Sequence, residues 1–74
     1  MEKVVERKCV SSSNIHSIGY DVSSSILEVQ FLNGSIYQYF NVPQSLYLGL
    51  MSAASHGEYL DAYIKKAGYR YARL

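Results

Sequence analysis

The sequence predicts a small α+β domain: a three-stranded antiparallel β-meander followed by two short helices, with room for a short C-terminal strand. Three observations predict it. Asn33-Gly34 stands between two runs rich in β-branched and aromatic residues, the strongest short-range hairpin signal. Ser55-His56-Gly57-Glu58 has the spacing of a capping box, with a hydroxyl and a carboxylate three residues apart at a helix start. Leu46, Tyr47, Leu50 and Ala54, then Tyr59, Leu60, Tyr63, Ile64 and Ala67, recur at helical spacing.

The elements follow in chain order. Residues 1–10 mix acids and bases with little pattern and read as an N-terminal arm; 11–74 read as a single domain. Ser11-Ser12-Ser13-Asn14 reads as a loop whose side chains bond nearby backbone. Ile15 to Asp21 is the first strand, with imperfect alternation. Asp21 opens an Asx-type turn through Ser23, Ser24 and Ser25. Ile26 to Leu32 and Ser35 to Phe40 are the second and third strands. A two-residue type I′ turn at Asn33-Gly34 pairs Phe31 with Ile36, Gln30 with Tyr37 and Glu28 with Tyr39. That register puts Leu27, Val29, Phe31, Ile36 and Phe40 on the core face. It turns Tyr37 and Tyr39 to a mixed, outward face with Glu28, Gln30 and Ser35. Asn41 or Val42 suits the N-cap of the first helix, and Pro43 its first turn. Gly49 weakens that helix. The second runs from Ser55 to about Ala67, with Gly68 suited to end it. Tyr69 to Leu74 alternates as a short strand would.

Composition narrows function. A 74-residue chain is one domain with a modest core, for which self-association is a common supplement. No apolar run has the length of a membrane span, and the N-terminus has no signal-peptide h-region, so the expected address is cytoplasmic (host cytoplasm for a viral protein). The single cysteine, Cys9, allows no internal disulfide. His16, His56 and Cys9 have no metal-ligand spacing, and no nucleophile elbow or paired carboxylates occur. The expectation is a protein without catalytic residues, metal or cofactor. The net charge of +1 argues against a broad phosphate-gripping surface but leaves room for a small phosphorylated ligand. Eight tyrosines, with no tryptophan, supply flat rings of the kind on which bases stack. Tyr37 and Tyr39 are therefore candidate stacking residues. Ser55, His56 and Gly57 at the helix start, and Lys65, Arg70 and Arg73 in the basic C-terminal stretch, are candidate phosphate contacts. Ser12, Ser13 and Asn14 are candidate contacts to a base edge.

Ser12-Ser13-Asn14-Ile15, Ile18-Gly19-Tyr20-Asp21, Leu27-Glu28-Val29-Gln30-Phe31, Asn33-Gly34, Tyr37-Gln38-Tyr39, Val42-Pro43 and Ser55-His56-Gly57-Glu58-Tyr59 together resemble the KTSC domain. That domain is named for the C-terminus of some lysyl-tRNA synthetases and also occurs free-standing in bacteria and phages. Leu60-Asp61 and Ile64-Lys65 depart from the Phe-Asn and Ile-Arg pairs frequent in the family. The resemblance implies RNA binding or, by analogy with small phage proteins, an oligomeric sponge that sequesters cyclic nucleotide immune signals (cyclic dinucleotide or cyclic ADP-ribose type). Three readings follow: a non-catalytic, homo-oligomeric nucleotide binder, an RNA-binding module, and a protein-interaction domain that assembles through its tyrosines.

Overall fold

The computed structural model describes residues 5–74. The order is β1 (Arg7–Cys9), β2 (Ile15–Asp21), β3 (Ile26–Phe31), β4 (Ile36–Tyr39), α1 (Gln44–Ser52), α2 (His56–Leu60), a π-helical turn (Asp61–Lys65) and β5 (Tyr71–Arg73). The sheet has five strands in sequential order with every pairing antiparallel, two more than the expected meander. Arg7–Cys9 of the expected arm pair with β2. The C-terminal alternation forms β5 against β4. Residues 1–4 of the arm lie outside the described residues.

The hairpin between β3 and β4 corrects the expected register. Leu27 pairs with Tyr39, Glu28 with Gln38, Val29 with Tyr37 and Gln30 with Ile36. This is a one-residue slip from the two-residue turn, and a slip of one exchanges the two faces of a strand. The cause is the loop. Gly34 N–H donates to the Phe31 carbonyl at 2.9 Å, and Phe31 N–H donates to the Ser35 carbonyl at 2.9 Å. The loop is thus Leu32-Asn33-Gly34, a turn followed by a glycine bulge at φ +92°. A type I′ turn would need positive φ at Asn33 as well, and Asn33 is not among the positive-φ residues. Its carboxamide oxygen accepts from Ser35 N–H at 2.9 Å, which holds the loop.

A second irregularity explains the imperfect alternation of β2. Ile15 pairs with Phe31 but Ser17 with Gln30, so a bulge lies between them and Ile15 and Ile18 share the inner face. The inner face carries Ile18, Leu27, Val29 and Tyr39, and the helices lie across it. Val42, Leu50, Leu60 and Ile64 complete the core. Pro43 is the N-cap of α1, one residue later than expected. Gly49 has a positive reason to be in this helix, because a Cβ there would run into the Tyr59 hydroxyl. Ser55 caps α2 by accepting from Glu58 N–H at 3.3 Å. The helix then widens: Lys66 N–H reaches back five residues to the Asp61 carbonyl at 3.0 Å. The Asx turn forms as expected, with Ser23 N–H on the Asp21 carboxylate at 3.1 Å.

The outer face is polar. Glu28, 5% exposed, accepts from Arg7 and, at 2.8 Å, from Gln38. Arg7 also reaches Ser17 at 3.2 Å and Gln30 at 3.3 Å. Burial of the carboxylate is compensated by its guanidinium and amide partners.

Candidate functional site: an aromatic groove at the β3–β4–β5 end of the sheet

The helices cover only part of the inner face. Where β3, β4 and β5 continue past them, the sheet forms the floor of a groove of about 690 Å³. Phe31, Tyr37, Tyr39, Tyr69 and Tyr71 supply its aromatic surface. Ser13, Asn14, Asn33 and Ser35 supply polar groups, and Lys65 a cation. Among the described residues, none that lines the groove is Asp, Glu, His or Cys.

Strand pairing builds the aromatic cluster. Tyr37 and Tyr39 are two residues apart on β4 and so share a face, and Tyr71 lies opposite Tyr39 on β5. The Tyr71 ring centroid is 5.8 Å from those of both Tyr37 and Tyr39, which are 6.3 Å from one another. Phe31 meets Tyr37 edge to face at 5.7 Å. The expected outward tyrosine face is therefore corrected. Tyr39 is 3% exposed and belongs to the core, and Tyr37 is half-buried against it. The support that an outward face lent to ligand binding is lost. In its place stands a concave wall on the inner face, in which Tyr71, 62% exposed, offers the free ring. Burial, with the neighbouring phenols of Tyr37 and Tyr71 adding to it, pushes the Tyr39 hydroxyl up to about 12.

Two cations attend the groove. The Lys65 ammonium lies 5.0 Å over the Phe31 ring. The Arg73 guanidinium lies 6.0 Å over Tyr37 and donates to Ser35 Oγ at 3.1 Å. Neither has a carboxylate partner among the described ion pairs, whereas Lys66 pairs with Asp61 at 3.3 Å. Arg70 lies one residue before Tyr71, where its backbone carbonyl accepts from Phe40 N–H at 2.8 Å; it does not line the groove.

The other expected contacts divide. Ser13 and Asn14 line the aromatic groove. Ser12, Ser55 and His56 line a separate hollow of about 310 Å³ that touches the groove only through Ser13. Ser12 is occupied internally, accepting from the N–H groups of Asn14 and Ile15 at 3.3 Å each. His56 donates from Nδ1 to the Leu50 carbonyl at 2.8 Å, tying α2 to the last turn of α1. Gly57 packs on Asn14, since a Cβ there would lie 2.5 Å from its carboxamide oxygen. Sequence reasoning missed Phe31, Leu32, Asn33 and Ser35 as groove residues, and it read Tyr69 and Tyr71 only as rings interleaved with the C-terminal cations. The signal for Tyr71 was available: in an antiparallel β5 it shares a face with Arg73 and with the Tyr37-x-Tyr39 pair.

The fold and groove define a class: a small single-sheet α+β domain with a tyrosine-walled cleft at one end of the sheet. The chain belongs to the KTSC domain family, whose model matches residues 11–71. A crystal structure of a KTSC domain protein from Yersinia pestis superimposes with a TM-score of 0.87 at 40% identity, covering 96% of this chain and 99% of that one. A protein of Stutzerimonas stutzeri is 37% identical over 70 residues, covering 95% of this chain and 99% of its own length. A lysine–tRNA ligase of Nostoc punctiforme is 36% identical over 53 residues, which are 72% of this chain but 9% of the ligase.

Proposed function

We propose that the domain is a non-catalytic nucleotide binder, and that it holds a small phosphorylated nucleotide of the cyclic type in the aromatic groove without cleaving it. One observation carries this reading: a cleft of about 690 Å³ walled by five aromatic rings and lined by Lys65, with Arg73 over the Tyr37 ring and no acidic side chain among the described residues that line it. Its volume is in the range of small-molecule sites, about 300–1,000 Å³. A base stacks on the exposed face of Tyr71, beside Tyr37, and a phosphate meets Lys65 and Arg73. Two cations suit a ligand with one or two phosphates. In the sponge form of this reading, several copies assemble and a neighbouring subunit closes the groove.

RNA is the second reading, and one observation favours it: the relatives include lysine–tRNA ligases, in which the matching segment is a small part of the chain. Calorimetric titration with a panel of cyclic nucleotides, beside a short single-stranded RNA at two salt concentrations, separates the two. Saturable binding of a cyclic nucleotide recovered intact supports the first. RNA binding alone, falling steeply with salt, overturns it in favour of the second. Binding of neither leaves the tyrosines as a protein-interaction surface. Because Tyr71 is exposed, Tyr71→Ala is expected to keep the melting temperature within a few degrees. Affinity is expected to fall roughly 5- to 150-fold, the worth of one stacked base at about 1–3 kcal/mol.

A further inference from the structure

Two asparagines on the polar side of the groove each have the carboxamide oxygen engaged within the protein and the amide nitrogen left over. Ser12 Oγ accepts from two backbone N–H groups, so its own proton goes to the Asn14 carboxamide, 3.1 Å away. That bond holds Asn14 Oδ1 against Ser12 and leaves the Nδ2 amide as the end with no partner among the described hydrogen bonds. Asn33 Oδ1 accepts from Ser35 N–H at 2.9 Å, a contact only an oxygen can make, and again leaves Nδ2. The Asn14 carbonyl accepts from Leu32 N–H at 2.9 Å, which places the Asn14 loop beside the turn that carries Asn33. Ser35 Oγ already accepts from Arg73, so its proton too is available to donate. Asn14, Asn33 and Ser35 line the groove, so these donors stand beside its stacking rings.

We propose that Asn14 and Asn33 make the groove selective for bases that present a keto oxygen, guanine, hypoxanthine or uracil, over their amino counterparts, adenine and cytosine. The inference rests on the nucleotide-binding reading and adds to it which base edge is read. A keto oxygen accepts from an amide N–H; an exocyclic amino group at the same place meets a donor with a donor and loses its water.

The test uses matched pairs that differ in one exocyclic group and in the proton on the ring nitrogen beside it. Inosine and adenosine 5′-monophosphates differ in oxo against amino at C6, and uridine and cytidine 5′-monophosphates do so at C4. Equilibrium titration of the full chain is expected to give the keto member of each pair an advantage on the order of tenfold. Asn14→Asp and Asn33→Asp each keep the internally used oxygen and replace the remaining N–H donor with a charged acceptor. Each is expected to shrink or reverse the keto-to-amino ratio, a readout that added negative charge alone, acting on both members equally, does not move. Equal affinity within both pairs in the unaltered protein overturns the selectivity and leaves nucleotide binding standing. A wild-type preference untouched by either variant overturns the assignment to these asparagines. Binding of no monophosphate and of no cyclic nucleotide overturns the underlying reading and this inference with it.

Discussion

At the scale of single residues, Tyr39 shows what burial does to a tyrosine in this domain. Its hydroxyl titrates near 12 in the folded protein against 10 for an ordinary tyrosine, chiefly because burial disfavours the phenolate. Between those values the folded state holds a proton that the unfolded state has released, so stability falls as pH rises through that window. Below pH 10 the contribution is fully present. Its loss amounts to about 2–3 kcal/mol by the time both values are passed, at about 1.4 kcal/mol per pH unit. Urea titrations of stability between pH 9 and 12 are expected to show this decline, and Tyr39→Phe, which has no proton to lose, is expected to flatten it. A decline of unchanged slope in the variant assigns the effect to other tyrosines.

At the scale of elements, the capacity of a helix to carry glycine was legible only in part. Gly49 lowers the propensity of α1, yet the Tyr59 ring occupies the place a side chain would take. Gly49→Ala gains about 1 kcal/mol in propensity and costs about 1–3 kcal/mol in overpacking, so a net loss of roughly 1 kcal/mol is expected. Tyr59→Phe removes the hydroxyl that the new methyl meets. The ring carbon Cζ would still lie 2.8 Å from that methyl, so the double variant is expected to recover part of the loss, a coupling read by chemical denaturation of all four proteins. The hairpin teaches a sharper lesson. Asn33-Gly34 correctly announced a tight connection between β3 and β4, because Gly34 takes positive φ in both candidate loops. Loop length decided the faces, and the dipeptide fits two lengths. Gln38 held the missing clue: the two-residue turn sets it opposite Val29 on the core face, whereas the observed loop sets it opposite Glu28, to which it donates at 2.8 Å. The helices, the Asx turn and the β2 boundaries were legible because caps and periodicity are local. The groove was not, since it depends on β5 returning to β4 and on which face the rings take.

At the scale of the whole molecule, the sheet separates two tasks. Its inner face holds the core and the aromatic groove, and its outer face holds a polar network in which β1 supplies the guanidinium for a buried carboxylate on β3. Replacing one member of such a pair strands the other. Arg7 is partly exposed, so its loss falls toward the lower part of the usual range of about 3–5 kcal/mol, and Arg7→Met is expected to destabilise by about 2–4 kcal/mol. Arg7→Met with Glu28→Met removes both charges and keeps apolar bulk on the strands. The double variant is expected to return most of that loss, because the burial of an unpaired carboxylate, rather than the value of the pair itself, sets the cost of the single change. Neither variant touches a groove residue. If the two faces are independent, both proteins bind a cyclic nucleotide with the affinity of the unaltered chain at a temperature where they remain folded. Denaturant unfolding measures the first expectation and calorimetric titration the second. A fall in affinity that tracks the fall in stability would mean that β1 helps to hold the β3–β4–β5 floor in shape, and that the outer network is part of the binding site's support.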